Sequence, residues 1–247
     1  MSMIRRRIPE VMDGGDITET DHAHALRSLN RLGRLLGTDR QLSRCLARFG
    51  DDPSVLDLGC GGCGFLAHLA RRRNSDGRTL LIGLDRSRFA LKCAIAWHSP
   101  TIAWMSADAR KIPLADSSID VVTCSLFLHH FDAEEVVAIL REAARVARRG
   151  IVFSDLARSP LAWILTWIMT RLLSRSWIVH IDGPRSVRAA YRKNELADLA
   201  RAAGLKDAAV QPRFPFRLIL SWQKMRADRP LRRVEARNDW AIQDSNL

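Results

Sequence analysis

VLDLGCGGCGFLAHLA, residues 55–70, decides how the rest of this chain is read. A short apolar run carrying Asp57 gives way at Gly59 to a segment with glycines at 59, 61, 62 and 64. An amphipathic pattern follows from Gly64. The order strand, glycine loop, helix places G-x-G-x-x-G where the backbone can approach a ligand closely. In open α/β sheets such a loop opens onto the crevice at the carboxyl ends of the strands.

Outward from this stretch, strand and helix patterns alternate. Apolar strands are expected at 54–59, 79–85, 101–108, 118–127 and 150–156, with amphipathic helices between them. Asp132 followed by Glu135 has the spacing of a capping box, opening a helix to about 148. Strands apolar on both faces imply a parallel sheet covered on both sides. Residues 207–222 suggest two more strands, an antiparallel hairpin at the sheet edge. The fold class is therefore α/β: a doubly wound, mostly parallel seven-stranded sheet, Rossmann-like, with N-terminal helices and a helical insertion after the fifth strand. The expected organisation is an arm and cap helices over 1–50 and a cofactor-binding core over 51–156. Acceptor-side helices and a closing hairpin of the same domain span 157–228, and a loose tail spans 229–247. In the third part an apolar helix (159–174) leads into a basic loop, then a helix from about Asn194 to Ala203.

Composition narrows the class. With 247 residues, 47% apolar and 27% charged, the chain suits one α/β domain with a substantial core. The five cysteines are odd in number and lie mostly in apolar runs, which fits buried thiols in a reducing, cytoplasmic setting. Cys60 and Cys63 spell C-x-x-C without a second ligand pair, so no metal site is expected. No secretory signal pattern is visible, and 161–169 is too short an apolar run to span a bilayer. The net charge is +12, with 34 arginines and five lysines. Residues 157–234 hold 16 Lys and Arg against 5 Asp and Glu, so the positive field lies in the later half.

The acids discriminate among ligands. Asp57 beside the glycine loop would repel a pyrophosphate but suit a cationic amine. Asp85 ends the second strand 21 residues after Gly64, the offset at which a carboxylate takes ribose hydroxyls. Asp108 ends the third expected strand and can accept from an exocyclic amine, with the Ala109 amide beside it reading a ring nitrogen. Amine, ribose and adenine, in register on three successive strands, describe S-adenosylmethionine.

LDLGCGGCGF, LIGLD and SADARKIPLADSSIDVVTCSLFLHHF together resemble the motifs of class I S-adenosylmethionine-dependent methyltransferases over residues 54–156. The resemblance implies that Asp57, Gly59 and Gly61 hold the methionine moiety. It assigns Asp85 to the ribose, Asp108 and Ala109 to the adenine and Ser125 to the pocket wall. Cys60 and Arg86 fall in the same cofactor-binding motifs. One departure is that Cys63 stands where the family's third glycine falls. PEVMDGG, SDLARSPLAW and HIDGPRSVRAAYRKNELADLARAAGL are similar to a bacterial subgroup acting on small molecules in polyketide or phenolic-lipid pathways.

The implied chemistry is in-line methyl transfer. His129 and His130 follow the fourth strand and are the candidate catalytic bases, with His180 a lesser one. Adjacent histidines are expected to point apart, so a zinc site made of both is not expected. Trp163, Trp167, Ile168 and Leu172 form an apolar stripe on one helix. Core packing is the expected use of that stripe; a lipophilic acceptor or peripheral contact with a membrane surface is the alternative. The expected partner is a small, lipophilic or aromatic acceptor methylated on oxygen, with no nucleic acid. The competing readings are C-methylation of a quinone-like ring, a nucleic-acid methyltransferase or binder, and a non-catalytic cofactor-binding protein.

Overall fold

A computed structural model describes residues 3–14, 17–72, 79–98 and 101–224. The tail expected over 229–247 lies outside the described residues. Two helices lead, α1 (Glu19–Leu35) and α2 (Thr38–Leu46). The alternating core follows as β1 (Val55–Leu58), α3 (Gly64–Arg72), β2 (Leu81–Asp85), α4 (Arg88–Trp97), β3 (Ile102–Ser106), β4 (Ile119–Ser125), α5 (Ala133–Val146) and β5 (Ala147–Leu156). Then come α6 (Pro160–Leu173), α7 (Trp177–Ala189), α8 (Lys193–Ala202), β6 (Ala209–Arg213) and β7 (Arg217–Gln223).

The seven strands form one sheet in the order β3-β2-β1-β4-β5-β7-β6. The first five strands pair in parallel; β7 runs antiparallel to β5 and β6. Strand order reverses between β1 and β4, the switch point where a crevice opens. Along β1, Val55 packs with α2 and α3 residues such as Leu42 and Leu66, while Leu56 and Leu58 pack with α5 residues such as Ile139 and Leu140. This two-sided burial explains why the strand has no polar face. Each such aliphatic side chain contributes about 1.5–3 kcal/mol on burial.

Local signals set the helix starts. The Asp132 carboxylate accepts the Glu135 amide, and the Glu135 carboxylate accepts the Asp132 amide, completing the expected capping box. Ser159 caps α6, with Pro160 at its first position.

Three expectations need correction. The basic loop expected after α6 is instead the 13-residue helix α7, running through Pro184. Its Ile178, Val179 and Val187 are buried, so tertiary packing outweighs the breaker signal. Gly183 allows close approach to α6: a Cβ there would lie 2.8 Å from Thr170 Cγ2. The α6 stripe is not core. Trp167, Ile168 and Leu172 are exposed, because α6 covers α7 rather than the sheet. The three acids do not share one register. Asp57 is level with Gly83 and Asp85 with Ser106, while β3 ends before Asp108. They form a staircase, each step two residues higher, or about 6–7 Å.

Candidate active site

The glycine loop joins β1 to α3 at the switch point. Gly59, Gly61 and Cys63 take positive φ of 62°, 50° and 56°. Cys63 thus adopts the left-handed conformation that favours glycine, at the position where the sequence departs from the family pattern. A Cβ on Gly59 would fall 2.2 Å from the Phe127 ring, so that ring rests directly on the loop. On the other side Asn30 of α1 donates its amide to the Gly62 carbonyl at 2.8 Å. Cys60 and Cys63 are buried free thiols. The bond to Cys63 and burial push the Cys60 thiol well up, leaving it protonated and inert.

Asp57 is 3% exposed and accepts the Thr123 hydroxyl at 2.8 Å from β4. Burial pushes its carboxyl up to about 7, with the charges of Asp39 and Asp85 adding to the effect and the Thr123 bond opposing it. A buried acid of this kind favours an ammonium partner. Asp85 ends β2 and accepts the Gly61 amide and the Ser87 amide, both at 2.8 Å. With the Arg86 amide these make three donors, which leaves about one of the carboxylate's four lone-pair sites for a further donor. Burial raises the Asp85 carboxyl against the pull of those amides. Arg86 beside it is exposed, and its backbone amide also bonds Asp85.

Asp108 lies beyond β3, gripped by Arg110, whose Nη2 approaches Asp108 Oδ2 at 2.6 Å. Arg110 also donates to Glu135 at 2.6 Å. The Arg110 bond outweighs burial, which acts the other way, and holds the Asp108 carboxyl below its usual range. Ala109 is buried beside it, and Ser125 ends β4 level with Ser154 of β5. The residues expected to bind cofactor therefore lie at or just beyond the carboxyl ends of β1, β2, β3 and β4. A bare loop, a buried acid and a strand-end acid anchored to the loop amide fit a cationic nucleoside.

His129 and His130 sit in the 3-10 turn Leu128–His130 after β4. Their rings do not point apart; the centroids are 4.4 Å apart. His129 is buried between two acids, with Nδ1 2.7 Å from Asp155 Oδ1 and Nε2 3.4 Å from Glu10 Oε1. Burial opposes its charge, but Asp155 and Glu10 prevail and push its pKa up to about 10. It is then an imidazolium, a donor rather than a base. His130 is half-buried, with Nδ1 3.4 Å from Asp13 and Nε2 3.9 Å from Glu10. Its ring centroid is 6.4 Å from that of Phe127, the ring on Gly59. Glu10, His129 and His130 bring ligand atoms within 4.8 Å of one another. Glu10 also accepts the Ser186 hydroxyl. His180 lies elsewhere, bonded to the Ser174 carbonyl between α6 and α7. Tyr191 packs under Arg5 and donates to the Phe131 carbonyl at 2.9 Å.

The sequence reading missed Glu10, Asp13, Thr123 and Asp155 as site residues. Glu10 and Asp13 lie in PEVMDGG and Asp155 in SDLARSPLAW, stretches that carried only a likeness. An N-terminal arm brings the first two in. Arg5 donates to Phe131 O at 2.7 Å, and Asp182 of α7 accepts the Val11 and Met12 amides at 2.8 and 3.0 Å. Pairing between the arm and residues more than a hundred positions away leaves no local signature.

Residues 55–150 match a family profile described as "Methyltransferase domain". Among curated relatives, the malonyl-[acyl-carrier protein] O-methyltransferase of Hahella chejuensis is 30% identical over 65% of this chain and 53% of its own length. The demethylmenaquinone methyltransferase of a Roseiflexus species is 29% identical over 70% of this chain and 77% of its own. The ubiquinone biosynthesis O-methyltransferase of Nitrosomonas europaea is 29% identical over 64% and 66%. The chain thus spans about half of the first relative's length, 77% of the second's and 66% of the third's. Among solved structures, the plantazolicin methyltransferase BpumL in complex with SAH superposes with a TM-score of 0.66 at 16% identity, covering 87% of this chain and 93% of that one. Residues 55–150 thus match a methyltransferase domain, the curated relatives are methyltransferases, and the superposition on BpumL is a likeness of fold.

Proposed function

We propose that this chain is a class I S-adenosylmethionine-dependent methyltransferase that transfers a methyl group to oxygen on a small, lipophilic or aromatic acceptor. The observation that carries the reading is the cluster His130–Glu10–His129–Asp155, seated at the ends of β4 and β5 beside the ring that covers the glycine loop. S-adenosylmethionine supplies an electrophilic methyl group on a sulfonium. Asp57 takes the ammonium, Asp85 the ribose, and Asp108 with the Ala109 amide the adenine. Glycines 59 and 61, with Cys60, form the wall under the methionine, while Ser125 and Arg86 flank the crevice.

Alignment of nucleophile and methyl supplies the largest share of the acceleration, about 7–11 kcal/mol. An oxygen nucleophile must also shed its proton. His130 receives it, held by Asp13 and Glu10. His129, protonated between Asp155 and Glu10, fixes Glu10 and thereby the His130 ring; it positions rather than reacts. This division favours O-methylation, since a carbanion equivalent on an electron-rich ring forms with less help. The names of the relatives support the substrate class: two act in quinone biosynthesis or on a demethylmenaquinone, and one on a malonyl carrier.

The test is incubation with methyl-labelled S-adenosylmethionine and a cellular lipid extract. Label in the organic phase, with the carbon shift of an O-methyl group, is the expected result. A C-methyl shift would move the reading to ring carbon. Label confined to RNA would overturn it.

A further inference from the structure

We propose that the outer face of the α6–α7 hairpin is a docking surface for an anionic lipid membrane, lying flat on it and admitting the acceptor to the crevice behind. On α6, Leu161, Ile164, Trp167, Ile168 and Leu172 are all exposed, Leu172 by 74% and Trp167 by 44%. They recur at three and four residues and so form one face. On α7, which packs against α6, Trp177 and Ile181 lie four residues apart and are also exposed. Together these side chains form an apolar surface of the kind that marks an interaction site.

The charges name the occupant. Between 157 and 193 the chain has seven Lys and Arg and a single acid, Asp182. Asp182 is buried, and its carboxylate accepts the Val11 and Met12 amides. Arg171, Arg175 and Arg188 are exposed. The Arg171 guanidinium stacks 4.0 Å over the Trp167 ring, on the outer face itself. Tryptophan and arginine around an aliphatic strip match the polarity gradient of a bilayer interface. A second copy fits less well, since a symmetric pairing of this face would bring the arginines of both copies together. Among the described residues no helix is long and apolar enough to cross a membrane, so the hairpin lies on the surface.

The placement has a functional consequence. The inner side of α7 carries Asp182, which binds the arm, and Ser186, which donates to Glu10 of the histidine cluster. One helix thus separates the lipid-facing surface from the reacting groups. This use of the contact rests on the lipophilic-acceptor reading above; the contact itself does not.

Flotation of the full chain with vesicles tests it. The protein should float with vesicles of phosphatidylcholine and phosphatidylglycerol, and much less with phosphatidylcholine alone. Leu172→Glu or Trp167→Glu should lower partitioning at least about tenfold. Arg171→Gln and Arg175→Gln should each lower it roughly fivefold on the anionic vesicles only. Calorimetry with S-adenosylmethionine should give unchanged affinity for every variant, showing that each is folded. Indifference to both vesicle types, or unchanged partitioning of the Glu variants, overturns the proposal. So does a dimer in sedimentation velocity that Leu172→Glu dissolves, which would assign the face to a second copy. A protein that floats but methylates no lipid keeps this surface and loses the functional reading; one that methylates extract in detergent yet ignores vesicles does the reverse.

Discussion

Asp57 and Asp85 lie on neighbouring strands and carry different burdens. Asp57 is sealed against Thr123, so its neutral form is favoured up to about pH 7, against an ordinary value of 3.8. A raised carboxyl stabilises the empty protein at acidic pH, and that contribution is lost as pH rises through about 7. An ammonium placed beside it reverses the preference. Cofactor binding at about one unit below that value should therefore release a proton, and at about one unit above it should release none. Calorimetry in two buffers of different ionisation heat reads this directly, and Asp57→Asn should abolish it. Asp85→Ala should weaken binding by at least one charge-assisted bond, about 1.5–3 kcal/mol, measured in the same titration. Affinity equal to wild type would remove Asp85 from the crevice. His130→Gln should lower kcat by about 10²–10⁴ with cofactor affinity unchanged, since a base acts on the acceptor alone. His129 obeys the opposite logic. Its folded pKa of about 10 exceeds its ordinary 6.5, so its ion pairs stabilise fully below about 6.5 and fade as pH climbs through 10. Urea denaturation across that range should show falling stability, and Glu10→Gln should flatten the fall.

Helices and strands differ in how openly they announce themselves. The capping box of α5 is local, four residues wide, and readable without the fold. Asp132→Ala should cost about 1 kcal/mol in chemical denaturation, because the Glu135 amide loses its acceptor at the helix start. Neighbouring Arg7 contacts Asp132 at 4.0 Å from an exposed position and adds little. Strands β1, β2 and β4 are legible because both faces are buried and nearly every position must be apolar. Helix α7 was not legible. Gly183 and Pro184 signal a break, yet the glycine serves contact with α6 and the buried side is completed by polar groups that bond the arm. Helix α6 shows the converse error: periodicity revealed its apolar stripe, but which way a stripe faces depends on what lies opposite it. The three acids were placed correctly along the chain but not in height, because register belongs to strand pairing and not to strand sequence.

Across the molecule, an arm from the first residues straps the reacting end of the sheet to the α6–α7 hairpin. The Met3 carbonyl accepts from Arg158 and Arg192, Arg5 reaches the Ala189 and Phe131 carbonyls, and Glu10 and Asp13 meet the histidines. Deleting residues 1–14 should abolish turnover while leaving most cofactor affinity, because Asp57, Asp85 and Asp108 keep their strand-end supports. Single-turnover kinetics and calorimetry together check this; loss of both would make the arm part of the cofactor crevice. The sequence by itself determined the α/β alternation, the glycine loop and the order of the acids, since periodicity, backbone freedom and charge are written locally. Only the tertiary structure decided that His129 is a clamped cation, that Glu10 and Asp13 join it, and that the α6 stripe faces outward. Those outcomes depend on groups far apart in the chain meeting in space, where burial and neighbouring charge, not residue type, set the protonation and the facing of a side chain.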